Sequence, residues 1–136
     1  MAQDYHDLIV WQRAVDLSVS IYQLTQSFPK AELYGLTSQM RRASVSVASN
    51  IAEGRGRLNA AEFRQFLEMA QGLLFELRTQ LLVARKLGLG SISSIGDADR
   101  LSQEISKMLR TFIEKLRAPR VTPRITQPMP RVTERG

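Results

Sequence analysis

Three observations predict an all-α fold, an antiparallel up-and-down bundle of four helices. Four segments repeat apolar residues at steps of three and four, no run alternates between hairpin signals as a strand would, and only turn-length stretches separate the segments. A chain of 136 residues suits one core of this kind. The bundle is expected over residues 1–118. Residues 119–136 hold four of the five prolines and no apolar period, and are expected to form a disordered tail.

The first helix is carried by Val10, Ala14, Leu17, Ile21, Leu24 and Phe28, and Pro29 closes it because the residue before a proline is pushed out of the helical region. KAELYG reads as a turn. The second helix buries Leu36, Met40, Ala43, Val47 and Ile51, and its small neighbours, Ser44, Ser46, Ala48, Ser49 and Ala52, invite close approach of another helix. The third keeps the most regular stripe, Phe63, Leu67, Ala70, Leu74, Leu77, Leu81 and Ala84. Asn59 and Glu62 form its start signal, a side-chain cap with an acid three residues on, and Gly88 and Gly90 stop it. After the turn LGSISSIG, Asp97 and Asp99 mark the start of the last helix, where the macrodipole favours negative charge. That helix is expected to bury Ala98, Leu101, Ile105, Met108, Phe112 and Leu116.

Two stripes are wider than a narrow bundle seam needs. The third helix adds Phe66, Met69, Leu73, Val83 and Leu87, interrupted by Glu76 and Gln80; the first adds Leu8, Trp11, Val15 and Tyr22. The pattern leaves two explanations open, a broad core face or a contact between subunits.

The residue inventory argues against catalysis. No cysteine is present, so disulfides, thiolate metal sites and thiol nucleophiles are absent. The one histidine, His6, precedes the first helix between Asp4 and Asp7 and is expected to be solvated, and paired Glu-x-x-His di-iron motifs need more than one. Glu53 and Glu76 have no evident nucleophile to serve. No enzyme activity, metal or cofactor is expected. The start of the chain has no basic segment followed by a long apolar run, and no stretch has the length of a membrane span, so a soluble cytoplasmic protein is expected.

The formal charge of +6 is unevenly placed. Arg120, Arg124, Arg131 and Arg135 face only Glu134 in the tail; Arg41, Arg42, Arg55, Arg57 and Arg64 face Glu53 and Glu62 around the stretch NIAEGRGR at residues 50–57. That stretch lacks the third glycine, the lysine and the preceding strand of the nucleotide loops. Its glycines read as a helix stop, with Gly54 taking a left-handed conformation. The arginines need another explanation. Their planar forks suit phosphate, which makes Arg41, Arg42, Arg55, Arg57 and Arg64 the candidates for nucleic-acid contact. The rival reading sets Arg41 or Arg42 against Glu53 or Glu76 within the fold or between subunits, and Gln39, Asn50, Glu53 and Glu76 are its polar candidates.

The stretch SFPKAELYGLTSQMRRASVSVASNIAEGRGR, followed by EFRQFLEMAQGLLFELRTQLLVARKLG, resembles the four-helix-bundle proteins encoded by intervening sequences in bacterial 23S rRNA genes. The likeness runs from about Leu8 to Leu116 and is densest through Tyr34-Gly35-Leu36, Arg41-Arg42-Ala43, Asn50-Ile51-Ala52-Glu53-Gly54, Glu62-Phe63 and Phe66-Leu67. Ala48 stands where a proline is frequent, and Leu73 where a serine usually follows the glycine. The resemblance implies a homopentameric ring and carries no catalytic residues. Its gene context implies association with RNA, and related bundles of diversity-generating retroelements assist a reverse transcriptase. The function expected is an oligomeric, non-catalytic bundle that binds structured RNA; the alternative is a protein-binding scaffold or accessory subunit without nucleic-acid contact.

Overall fold

The computed structural model describes residues 4–117, so the expected tail at 119–136 lies outside the described residues. Four α-helices, and no strand, are found among the described residues: α1 Ile9–Thr25, α2 Ser38–Arg55, α3 Ala60–Lys86 and α4 Ile92–Lys115. A single 3₁₀ turn, Tyr5–Asp7, precedes α1. KAELYG and the two residues after it form a 3₁₀ turn at Lys30–Glu32 and a wide turn at Leu33–Thr37, kinked at Gly35.

The core is assembled from the stripes that the spacing predicts in the first three helices. Val10, Ala14, Leu17, Ile21, Leu24 and Phe28 are buried, as are Met40, Ala43, Val47 and Ile51, and all seven positions from Phe63 to Ala84; Leu36 is half-buried at the edge. Each fully buried leucine or isoleucine contributes about 1.5–3 kcal/mol relative to an exposed one, so these stripes dominate the stability. Close approach at the small residues of α2 is realised at Ser44. Its hydroxyl lies 3.2 Å from that of Ser18 and donates to the Arg41 carbonyl at 2.9 Å, which lets a polar side chain sit fully buried.

Each helix packs on two neighbours, α1 on α2 and α4, and α3 on α2 and α4. Contacts along a pair come in opposite order on the two helices. Phe63 meets Phe112 edge to face, Gln71 donates to the Ser106 carbonyl, and Arg78 pairs with Asp99 at 3.0 Å. Between α1 and α2, Thr25 accepts from Arg41 and Ser18 meets Ser44. Arg13 and Glu104 join α1 to α4 at 3.0 Å.

The fourth helix departs from expectation in start and register. It begins at Ile92, with the Ser91 hydroxyl accepting from the Ser94 amide, so part of the supposed turn is helical. Asp97 and Asp99 lie past its first turn, where Asp97 pairs with Arg100 and Asp99 with Arg78. The buried stripe is Ile95, Ala98, Ser102, Ile105, Ser106, Leu109 and Ile113, whereas Leu101, Met108, Phe112 and Leu116 lie half-buried on its flank. Two serines in the seam mask it in the sequence. Ser102 is tolerated there because its hydroxyl donates to the Ala98 carbonyl at 2.9 Å.

Candidate nucleic-acid interface

The stretch at residues 50–57 is helical to Arg55, and Gly54 does not take the left-handed conformation expected of a stop; among the described glycines, Gly88 and Gly90, which follow α3, have positive φ. Gly54 has a different task. It is buried, and a Cβ there would lie 2.6 Å from Phe66 Cβ, 3.0 Å from the Phe63 ring and 3.3 Å from the Phe63 carbonyl oxygen. A side chain is excluded because the first turn of α3 runs directly across the last turn of α2. Asn59 then restarts the chain as expected, its side chain accepting from the Glu62 amide at 2.8 Å.

This crossing fixes the arginines around it. Arg57 lies with its guanidinium 4.7 Å from the centre of the Phe66 ring and 3.1 Å from Glu53. Arg55 stands over Phe63 at 5.7 Å, and Arg64 reaches Glu68 at 3.9 Å. Arg41 and Arg42 are not part of this group, for they sit about 20 Å away near the other end of α2 at 1.5 Å per residue. Arg41 is half-buried and held internally, its Nε donating to Thr25 at 2.8 Å and its guanidinium stacked 4.6 Å over Tyr22. Arg42 is exposed, in a groove it shares with Leu33, Tyr34 and Val45.

Within the chain, among the described residues, neither Arg41 nor Arg42 pairs with Glu53 or Glu76. Glu53 is taken by Arg57, four residues on, and Glu76 accepts from Gln80 at 3.2 Å, both contacts between neighbours on one face of the chain's helical turns. Asn50 donates back to the Ser46 carbonyl at 2.8 Å, and Gln39 is exposed. At 3.6 residues per turn, Gln39, Arg42, Ser46, Ser49, Asn50 and Glu53 share one face of α2, and Arg57 closes onto it through Glu53. The result is a polar stripe with an exposed guanidinium near each end.

Two apolar grooves lie elsewhere. One, of about 580 Å³ between α1 and α2, is lined by Trp11, Val15, Val19, Tyr22, Val45 and Ala52 among others. A second, of about 470 Å³, lies between the start of α1 and the end of α4. His6 is less isolated than the sequence suggests: its ring stacks on Tyr5 at 4.3 Å and meets Trp11 edge on. The Asp4 carboxyl is held below the usual carboxylate range, chiefly because it accepts from the His6 amide and also from the His6 ring. Gln80 is a core residue that the apolar spacing does not reveal. It is buried in α3 with its carbonyl oxygen unpartnered, a cost to stability with no signature in the sequence.

A protein-family model described as 23S rRNA-intervening sequence protein matches residues 6–111. Among solved structures, the chain is similar to a protein of unknown function from the S23 ribosomal protein family of Bacteroides thetaiotaomicron VPI-5482, with a TM-score of 0.71 and 20% identity over 78% of this chain and 99% of that one. At that identity the likeness shows the fold. No curated protein matches the chain.

Proposed function

Since the chain belongs to the 23S rRNA-intervening sequence protein family, we propose that it is a non-catalytic, cytoplasmic bundle of antiparallel up-and-down helices that assembles into a homopentameric ring and binds structured RNA through arginine–phosphate contacts. The opposite order of contacts along neighbouring helices supports the antiparallel arrangement. No helix among the described residues is long and apolar enough to cross a membrane.

The observation that carries the RNA reading is the α2 stripe. Arg42 and Arg57 are exposed near its ends, hydroxyls and an amide lie between them, and Tyr34, 92% exposed, stands beside Arg42 as a surface for a base. The contact between Arg57 and Glu53 does not remove that arginine from use. Exposed pairs are worth about 0–1 kcal/mol, less than a charge-assisted bond to phosphate returns. Arg55, at the end of α2, and Arg64, in the second turn of α3, add charge at the same end.

The test is the salt dependence of affinity for a structured RNA hairpin, measured by fluorescence anisotropy. Counterion release predicts a log–log slope that flattens by roughly 0.7–0.9 for each phosphate the protein ceases to neutralise, so Arg42→Ala and Arg57→Ala should each produce that change. Slopes equal to that of the parent protein would end the RNA reading.

The second reading, a protein-binding scaffold or accessory subunit, is favoured by the apolar α1/α2 groove, where Val19, Tyr22 and Val45 are left exposed. This reading sets a neighbouring subunit of the proposed ring over this face. Light scattering should then give five times the 15.4 kDa of one chain, and Val19→Asp should reduce it. A parent protein that measures as a monomer sinks the ring.

A further inference from the structure

The groove between the start of α1 and the end of α4 has a composition that the proposed RNA contacts do not use. Its floor is Leu8, Ile9, Val10, Met108 and Phe112; Ile9 is 54% exposed although it opens a helix whose other face is core. Its rim is Lys107, Thr111 and Lys115, which follow one another along a single line of α4. Both lysines are exposed, and neither makes an ion pair among the described residues. The neighbouring carboxylates are already engaged, Glu104 by Arg13 at 3.0 Å and Glu114 by Arg117 at 3.5 Å. The first turn of α1 contributes positive character too, having neither an acidic residue nor a side-chain cap.

We propose that this groove docks an acidic amphipathic helix of another protein, its apolar stripe on Ile9, Met108 and Phe112 and its carboxylates on Lys107 and Lys115. The two lysines stand two turns apart, about 12 Å along α4, which matches carboxylates two turns apart on a helix laid alongside. Charge decides among the occupants. The chain's own final residues carry Arg120, Arg124, Arg131 and Arg135 against Glu134, the wrong sign for a lysine rim. A second copy docked by the same face would set lysine against lysine. RNA would satisfy the lysines and leave the apolar floor wet.

The test uses a fluorescent 18-residue designed peptide with leucines at helical spacing and glutamates on both flanks, a second peptide with lysines in place of the glutamates, and an RNA hairpin. Saturable binding of the acidic peptide to the full chain is expected, at least tenfold tighter than that of the basic one, and weakening as salt is raised. Lys107→Glu with Lys115→Glu should lower its affinity at least tenfold, and Ile9→Ser should lower it several-fold. All three positions are exposed, so circular dichroism should report an unchanged fold. Equal binding of the two peptides, or insensitivity to both variants, overturns the proposal. So does a charge reversal that weakens only the RNA hairpin, or an Ile9→Ser change that dissolves an oligomer while the peptide never binds.

Discussion

A methyl group at Gly54 would lie 2.6 Å from Phe66 Cβ, closer than carbon atoms tolerate, and a backbone oxygen behind it leaves little room to yield. Gly72, exposed in the middle of α3, has no atom within 4 Å of the same hypothetical group. The two glycines therefore respond to alanine with opposite signs. Gly72→Ala should stabilise by about 1 kcal/mol, the helix-propensity difference, whereas Gly54→Ala should destabilise by about 1–3 kcal/mol as overpacking outweighs that gain. Urea midpoints at unchanged m-value read the difference; a stabilised Gly54→Ala would show that α2 and α3 do not cross so closely. The sequence marks Gly54 as special without saying why. A helix stop and a helix crossing both call for glycine, and only the path of α3 separates them. Gln80 makes the complementary point. Its side chain shares a core stripe's neighbourhood, and replacing its unpartnered carbonyl by Gln80→Leu should raise stability by about 1 kcal/mol in the same assay, even though its hydrogen bond to Glu76 goes too.

At the level of helices, start signals were readable where a side-chain cap precedes a clean stripe. Asn59 and Glu62 delimit α3 as expected, and Asn59→Ala should cost about 1 kcal/mol while Asn59→Asp retains most of it. The α4 start was not readable, because Ser91 is one of several serines in a glycine-containing run and the more conspicuous aspartates lie beyond the first turn. Ser91→Ala should destabilise by a similar amount; no effect would place the start of α4 later, nearer the aspartates. The same helix shows how an apolar count misplaces a seam. Leu101, Met108 and Phe112 are larger than Ser102 and Ser106, yet the serines face the core; at Ser102 the hydroxyl bonds its own helix, which makes it cheap to bury. In α1, α2 and α3 the apolar positions that the spacing picks out are the buried ones, with Thr25, Ser44 and Gln80 joining them.

Across the whole molecule, the fold redistributes what the sequence groups together. Five arginines between residues 41 and 64 look like one patch along the chain, but α2 carries Arg41 and Arg42 about 20 Å from Arg55, Arg57 and Arg64, and Arg41 is half-buried and engaged by Thr25 and Tyr22. Arg41→Ala should therefore act on stability, lowering the thermal midpoint by a few degrees, while leaving the salt slope of RNA binding unaltered; a flattened slope would return Arg41 to the surface contacts. The Gly54 crossing has a kinetic consequence as well. Phe63 and Phe66 are near neighbours of Gly54 in sequence, so their contact closes a short loop, while Arg13 and Glu104 can meet only after most of the chain is ordered. Loop-closure entropy therefore predicts that the α2–α3 contact forms early and the α1–α4 seam late. In stopped-flow chevrons, Gly54→Ala should slow refolding, whereas weakening Arg13 or Glu104 should leave the refolding limb in place and accelerate unfolding.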